Sequence, residues 1–334
     1  MSQRYRVLSV LVITAVCLGF VLWGIELDKV GSALTSMQIR YIPAALGAIA
    51  LAFMARVLRF QILLGDARPR FGRQIVVCGV AFLAINVVPF RLGEFVRSFM
   101  LLEDDVSWGT SLSAVVLERI VDLFCLLGML LLVSVAVELP QAVVVQGIDV
   151  LDAGKHSIAV GLAVLIAGLV VLGVGNRAVL GLLERVPVVG QRLGSFAGSF
   201  RAAMADFVSR PLRAAAVFSL GVLIWGCTIA SVWLLFSAFP GIPVRWDLAL
   251  AVTAITVAGT VAIPTPGFFG PFEVFCKAVL VLYAVEPAVA ATFAVVWHLH
   301  QFGFHVVTGG LLLVREGLSL RALVQGSTGA GVRE

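Results

Sequence analysis

Long apolar stretches recur along this chain of 334 residues, and they restrict its fold more than any other feature. Several of them approach the roughly 20 residues that a helix needs to cross the hydrocarbon core of a bilayer. In lipid every backbone polar group must be satisfied internally, so these stretches are expected to be helical. The apolar runs span residues 7–24, 41–64, 74–90, 109–137, 157–175, 212–239, 247–263, 272–285 and 288–314. The pattern predicts an all-α polytopic membrane protein.

The composition agrees with a membrane protein. Hydrophobic residues make up 60% of the chain and charged residues 13%, whereas a soluble domain contains roughly half and a quarter. The formal net charge is +5, and the excess arginines lie mainly between the apolar runs, as expected for cytoplasmic loops. The basic balance therefore indicates membrane orientation and not a nucleic-acid partner.

The distribution of charge between the runs predicts the topology. Segments 56–73 and 177–213 are rich in arginine and are expected in the cytoplasm, whereas the acidic segment 138–155 is expected outside. Six full crossings and two re-entrant helical hairpins of opposite orientation satisfy these positions, with one hairpin broken at Pro89–Gly93 and the other at Pro264–Gly270. Both termini are then cytoplasmic, in a multi-pass protein of the cytoplasmic (inner) membrane.

A weak internal repeat supports this topology. An offset of 179 residues places Glu94 on Glu273 and Arg119 on His298. The order crossing, crossing, hairpin, crossing occurs twice, and the second unit starts from the opposite side of the membrane. This predicts an inverted-topology repeat of the kind found in secondary transporters, whose binding sites lie near the bilayer midplane at broken helices.

The repeat divides a single integral membrane domain that is expected to span residues 1–334. The two units are predicted at about 7–137 and 157–314. Within the second unit, segment 178–208 alternates arginine with apolar residues at helical spacing. It is predicted to form an amphipathic connector on the cytoplasmic surface, attracted by anionic lipid.

The first break carries charged residues inside apolar sequence. Pro89 cannot continue an upstream helix, and a helix that starts near Arg91 would present unpaired amides and a positive dipole. Together with arginine side chains, such a terminus can bind an anion such as phosphate. Glu94 and Arg97 are three residues apart and can pair, or the arginines instead extend to lipid headgroups. The candidate site residues are Asn86, Arg91, Gly93, Glu94 and Arg97.

The second cluster is Glu118, Arg119 and Asp122, in the middle of an apolar run. An ionisable group at this depth is costly and is normally paired, buried in the bundle and functional. One arginine between two acids leaves negative charge unless one acid is protonated or another cation joins. The cluster therefore belongs to a binding site, or it is a buried salt bridge that holds helices in register.

The third cluster follows the second break. Three prolines and two glycines within eight residues interrupt the helix, which is tolerated at membrane depth only where the backbone is buried in protein or lines a wet cavity. Glu273 and Lys277 have the spacing of an ordinary helical ion pair or belong to the site. The candidate residues here are Pro266, Gly267, Gly270, Glu273 and Lys277.

Histidines His298, His300 and His305 lie in the last apolar run. His298 and His305 are seven residues apart and share a helix face, either as polar lining of the bundle or as a proton relay. Their spacing predicts no metal site, and no common catalytic motif is present. We expect a protein that is not an enzyme and that needs no cofactor, with His298 as a further site residue.

Taken together, the three clusters resemble the lysylphosphatidylglycerol synthase transmembrane-region family of flippase-like integral membrane proteins. The resemblance covers nearly the whole chain. Larger members of that family carry a soluble aminoacyl-transferase domain, which this chain is expected to lack, so synthase activity is not implied. The matching residues are Asn86, Pro89, Arg91, Gly93, Glu94 and Arg97, then Glu118, Arg119 and Asp122, then Pro264, Pro266, Gly267, Gly270 and Glu273.

The resemblance implies translocation of a lipid or a lipid-linked headgroup between leaflets. The expected partner is a membrane lipid with an anionic or phosphate-bearing headgroup, held by Arg91, Arg97 and Arg119 at two broken-helix N-termini. Glu94, Asp122 and Glu273 balance the arginines and are candidates to carry a coupling proton. Two alternatives remain open: a scaffold or accessory subunit of envelope lipid synthesis, and an intramembrane lipid-modifying enzyme. A homo-oligomer or an envelope-biosynthesis partner is also possible.

Overall fold

The structure is a computed structural model that describes residues 27–87, 93–136, 144–145, 148–149, 190–262 and 265–317. Ten α-helices form almost all of the regular structure in these ranges. They are α1 (Leu27–Thr35), α2 (Ile42–Leu64), α3 (Phe71–Val87), α4 (Gly93–Leu102), α5 (Trp108–Ala136), α6 (Gly190–Ser209), α7 (Pro211–Phe236), α8 (Trp246–Ala262), α9 (Pro271–Leu282) and α10 (Pro287–Arg315). Two short strands, β1 (Val144–Val145) and β2 (Ile148–Asp149), pair antiparallel.

The helices follow the apolar runs, which confirms the helical class. In the described ranges, two segments are long and apolar enough to cross a membrane, Ile39–Ala67 and Pro211–Phe236, and α3 and α8 are shorter apolar helices. The predicted first and fifth runs, 7–24 and 157–175, lie outside the described residues. The six crossings therefore remain a prediction.

One assignment from the charge pattern is wrong. Arg56 and Arg59 were counted with the cytoplasmic segment 56–73, but both lie within α2, which continues to Leu64. Arg59 is fully buried. The helix extends past these cations because carboxylates of α5 neutralise them.

The residues on either side of each break form a packed pair of helices. α3 packs against α4, and α8 packs against α9. At the first break the approach is so close that a Cβ added to Gly93 would stand 2.2 Å from the backbone nitrogen of Ile85. Only glycine permits this contact without displacing α3. Pro89 and Arg91 lie outside the described residues.

The two halves of the chain are interleaved. α2 packs against α7, α10 packs against α3, and α5 packs against α8. The offset of 179 residues seen in the sequence carries the bounds of α5 onto those of α10 and brings α4 within one residue of α9. The corresponding helices thus have matching lengths and each long helix contacts the broken pair of the other half.

Two apolar cores lie in the described part of the chain. One, formed mainly by α2 to α5, includes Phe60 and Met100. The other, formed mainly by α7 to α10, includes Phe236 and Trp297. Of the charged side chains of the predicted clusters, Arg119 and Asp122 line a cavity to which both halves contribute.

Candidate functional site

Glu118 is the centre of a fully buried ion-pair cluster. Its carboxylate accepts a hydrogen bond from Arg59 at 3.0 Å through one oxygen and from Arg97 through the other. Glu118 and Arg59 are fully buried, and Arg97 is nearly so. Arg97 therefore pairs with Glu118 on α5 and not with Glu94 on its own helix. Two guanidinium groups on one carboxylate hold α2, α4 and α5 together.

Asp122, one helical turn further along α5, forms the more open part of the same cluster. Arg59 donates to it at 2.8 Å, and Arg119 and Arg56 lie 3.5 and 3.8 Å from its second oxygen. Arg119 also lies 4.0 Å from Glu94. The Arg119 side chain is 32% exposed, so this edge of the cluster is accessible.

The cluster carries an excess of positive charge. Among the described residues four guanidinium groups face three carboxylates, which leaves one unit of positive charge. The sequence left open whether an acid is protonated or another cation joins the second cluster; the structure shows three further cations. The members are Arg56, Arg59, Arg97 and Arg119 with Glu94, Glu118 and Asp122.

A second polar group lies at the other break. His298 of α10 contacts Glu273 of α9 with Nδ1 and Oε1 at 2.5 Å, and its Nε2 lies 2.8 Å from the carbonyl oxygen of Gly267. The second oxygen of Glu273 accepts the backbone N–H of Gly270 at 2.7 Å, which caps the start of α9. The imidazole stacks on the ring of Phe272 at 4.4 Å between centroids.

The turn that follows the second break reaches α3. Gly267 has a φ of +59°, a conformation that suits glycine. A Cβ at Gly267 would stand 3.2 Å from the backbone oxygen of Asn86, near the end of α3. The turn of the second broken pair thus meets the end of α3, beside the first break.

A cavity of about 370 Å³ connects the two polar groups. Its polar wall includes Arg56, Arg119, Asp122 and Asn86 from one half of the chain and Gln301 and the two histidines His298 and His305 from the other. Apolar side chains complete the lining, among them Leu123, Leu126, Trp225, Val257 and Phe302. The lining is therefore amphipathic, with charged and polar side chains together with apolar ones.

The predicted site residues differ in their position relative to the cavity. Asn86, Arg119, Asp122 and His298 line the cavity, whereas Arg97, Glu118 and Glu273 are buried around it. Lys277 is half-buried on α9 and is not among the residues that line the cavity. Arg91 lies outside the described residues, and nothing is described of the Pro266 side chain, although Pro266 begins the turn. The remaining members hold the backbone at the breaks or border the cluster: Gly93, Gly267, Gly270 and Glu94.

Sequence reasoning missed Arg56 and Arg59. Both lie inside the apolar run 41–64, three residues apart, so the rule that a charge within an apolar run is paired and buried applied to them equally. Their role was overlooked because the arginine-rich segment follows directly after α2 and both residues were counted with it. Arg59 is the cation that contacts both acids of α5.

Of three comparisons with known proteins, one gives a match. Comparison with curated proteins and with solved structures gives no match. A family model described as "Lysylphosphatidylglycerol synthase TM region" matches residues 6–309, which is most of the chain. The match identifies a membrane protein, and the family's description ties it to lipid metabolism. The chain belongs to the lysylphosphatidylglycerol synthase TM region family.

Proposed function

We propose that the protein moves a lipid with an anionic headgroup between the leaflets of the membrane. The headgroup binds in the cavity beside Arg119 and Arg56, while the acyl chains stay against apolar side chains or in lipid. The observation that carries the proposal is the excess positive charge on the wall of an amphipathic cavity. Guanidinium groups bind phosphate and carboxylate oxygens through paired, charge-assisted hydrogen bonds.

Buried polar atoms in the cavity wall support a polar ligand. Arg119 Nε, Asp122 Oδ2 and Trp225 Nε1 are buried and have no hydrogen-bond partner among the described residues. A buried polar atom without a partner is costly, so such atoms usually meet a ligand or water. An apolar ligand would satisfy none of them, whereas the oxygens of an anionic headgroup would accept hydrogen bonds from Arg119 Nε and Trp225 Nε1, and Asp122 Oδ2 would take a hydroxyl group or water as its donor.

The relation between the two halves supports transport over chemistry. Equivalent helices recur at an offset of 179 residues, and the cavity lies between the halves. In transporters with inverted repeats, one half rocks against the other around a site of this kind. We propose this inverted topology and alternating access for the present chain, with both breaks re-entrant from opposite sides.

The test is lipid retention by the purified protein. Native mass spectrometry compares wild type with Arg119→Gln and Arg119→Lys, and with Arg315→Gln as the control, because Arg315 is exposed at the end of α10. We expect wild type, Arg315→Gln and, more weakly, Arg119→Lys to retain an anionic lipid that Arg119→Gln loses. Equal lipid retention by all four folded proteins would contradict the proposed role of Arg119 in binding the headgroup.

One observation favours the scaffold as a second candidate. Arg59, Glu118 and Arg97 are buried beyond the reach of a ligand and join three helices, as a purely structural cluster would. On that view the cavity-facing charges are extensions of a structural network. Charge-preserving exchanges at Arg119 would then leave every lipid measurement unchanged, while Arg119→Gln would affect only stability.

A further inference from the structure

The Glu273–His298 pair differs from the arginine–carboxylate contacts around Glu118 because its geometry requires a hydrogen between the two side chains. We propose that this pair is a proton-binding site and that its proton travels together with the anionic lipid. The proposal rests on the proposed function and adds its coupling ion. Of the three carboxylates named from the sequence as candidate proton carriers, Glu94, Asp122 and Glu273, it selects Glu273.

The two contacts of His298 determine how many protons the pair holds. A carbonyl oxygen can only accept, so Nε2 must donate its hydrogen to Gly267. Nδ1 faces a carboxylate oxygen of Glu273 at 2.5 Å, and two lone pairs do not approach each other that closely. One proton therefore lies between Nδ1 and Oε1, and the pair has no net charge whichever atom carries it.

The surroundings hold this proton while leaving a route to water. His298 and Glu273 are 2% and 1% exposed, and the rings of Phe269 and Phe272 each lie 4.4 Å from the imidazole. Yet His298 lines the same cavity as Arg119. A proton can thus leave through the cavity in which the headgroup would bind.

Charge near the Glu273–His298 pair couples the binding of the proton to the binding of the anionic lipid. Arg56, Arg119, Asp122 and His305 line the same cavity as His298, and Cys276 lies near Glu273 on α9. An anionic headgroup beside Arg119 adds negative charge to a cavity that is otherwise positive. The headgroup therefore favours retention of the proton, and by linkage the proton favours the headgroup. This sign predicts that lipid and proton move in the same direction.

Loss of the proton changes the connection between α10 and the break. When the proton passes to water, a carboxylate and a neutral imidazole with its hydrogen on Nε2 remain. The lone pairs of Oε1 and Nδ1 then face each other, so the contact opens, whereas the bond from Nε2 to Gly267 stays. Glu273 remains held by Gly270, and α10 is joined to the turn at one point instead of two.

The acids of α5 do not offer such a site. Glu118 and Asp122 each contact two or more guanidinium groups, which stay protonated at any physiological pH. Four arginines already exceed the three carboxylates of the cluster by one positive charge, so no proton is needed there. At the second break, by contrast, the Glu273–His298 pair needs a proton to balance the carboxylate of Glu273.

The proton is tested first without any lipid. Proton NMR of the purified protein in detergent should show a strongly downfield resonance from the hydrogen shared by Nδ1 and Oε1. The resonance should disappear in His298→Gln and in Glu273→Gln and persist in His300→Gln. His300 is a matched control because it lies on the same helix but faces a different cavity. Absence of the resonance from wild type throughout the pH range in which the fold is intact overturns the proton site.

Coupling is tested in phosphatidylcholine vesicles that contain a trace of fluorescent phosphatidylglycerol, with the membrane potential held at zero. For one proton per lipid, a pH difference of one unit shifts the leaflet ratio by up to about tenfold. We expect this shift in wild type and His300→Gln, and equilibration without accumulation in His298→Gln. Transport whose final ratio ignores the pH difference overturns the coupling and leaves the proposed function. No transport by wild type contradicts the proposed function for this headgroup, while the resonance still decides the proton site.

Discussion

Two charged groups lie at corresponding places in the chain, yet they neutralise buried charge in different ways. The first group is the arginine–carboxylate cluster around Glu118, and the second group is the Glu273–His298 pair. In the first half, Glu94 lies 4.0 Å from Arg119. In the second half, the residues 179 positions later, Glu273 and His298, are in contact at 2.5 Å. A guanidinium and an imidazole thus take the same place opposite a glutamate.

The difference assigns different roles to the two halves. Arginine is always protonated, so the first group keeps its charge and suits a ligand that is always anionic. Histidine changes its charge near physiological pH and suits a group whose state alternates. Under the proposed function, Arg119 and His298 provide a fixed anion site and a proton-binding site that line one cavity.

The largest expected effect tests how firmly the first group depends on fixed charge. Glu118→Gln removes the carboxylate that Arg59 and Arg97 share. Two buried guanidinium groups then lose their main counter-charge, and we expect the free energy of unfolding in mixed micelles to fall by about 3–5 kcal/mol. Chemical denaturation followed by circular dichroism measures it.

Glu103→Gln is the control for this substitution. Glu103 also pairs with an arginine, Arg73, at 2.8 Å, but its side chain is 66% exposed. An exposed pair contributes about 0–1 kcal/mol. If the two variants lose the same stability, the central place of Glu118 in the first group is wrong.

The second prediction compares how closely the helices pack at the two breaks, α3 with α4 and α8 with α9. A Cβ at Gly93 meets the backbone of Ile85, whereas a Cβ at Gly259 of α8 meets the ring of Phe275, which can turn aside. We expect Gly93→Ala to cost about 2–3 kcal/mol and Gly259→Ala less. Thermal unfolding in detergent gives the order.

Gly128→Ala provides the reference for both glycine variants. Gly128 lies within α5 with open space around its Cβ position, so alanine should stabilise the helix by up to about 1 kcal/mol. A ranking in which Gly259→Ala is the more damaging would show that the second broken pair, and not the first, is the more tightly closed.

Sequence reasoning predicted the elements better than the contacts. The apolar run 109–137 lies within one residue of α5 at each end. The offset that paired Glu94 with Glu273 and Arg119 with His298 also anticipated which residues correspond. These features are local, or depend on hydropathy alone, and sequence records them directly.

Partners across helices could not be predicted in the same way. From the sequence, Arg97 could pair with Glu94, three residues away, or extend to lipid headgroups, but it contacts Glu118. The choice depends on how α4 approaches α5, which the close packing of Gly93 on α3 determines. Arg59 was missed because its two acids lie 59 and 63 residues further along the chain.

A third prediction tests whether the second group tolerates neutralisation better than the first. In Glu273→Gln the amide oxygen can still accept from Gly270 and the amide nitrogen can donate to a neutral His298. We expect a loss of about 1 kcal/mol or less, and about 1–3 kcal/mol for Glu273→Ala, which leaves buried groups unpaired. A loss in Glu273→Gln as large as that in Glu118→Gln would mean that the second group also depends on permanent charge. Both are measured by denaturation under the same conditions.

The smallest expected effect on stability separates the two arginines of α2. Arg56 lies 3.8 Å from Asp122 and over the Trp225 ring at 5.8 Å, and its side chain is 17% exposed. Lysine keeps the charge, so Arg56→Lys should change the free energy of unfolding by less than about 1 kcal/mol. Lipid retention should nevertheless weaken, because lysine cannot form the paired hydrogen bonds that a guanidinium gives to a headgroup. Arg59→Lys should do the reverse, since Arg59 contacts two acids and no ligand. Denaturation and native mass spectrometry of both variants decide whether the boundary between structural and ligand-binding charge runs between these two residues, one helical turn apart.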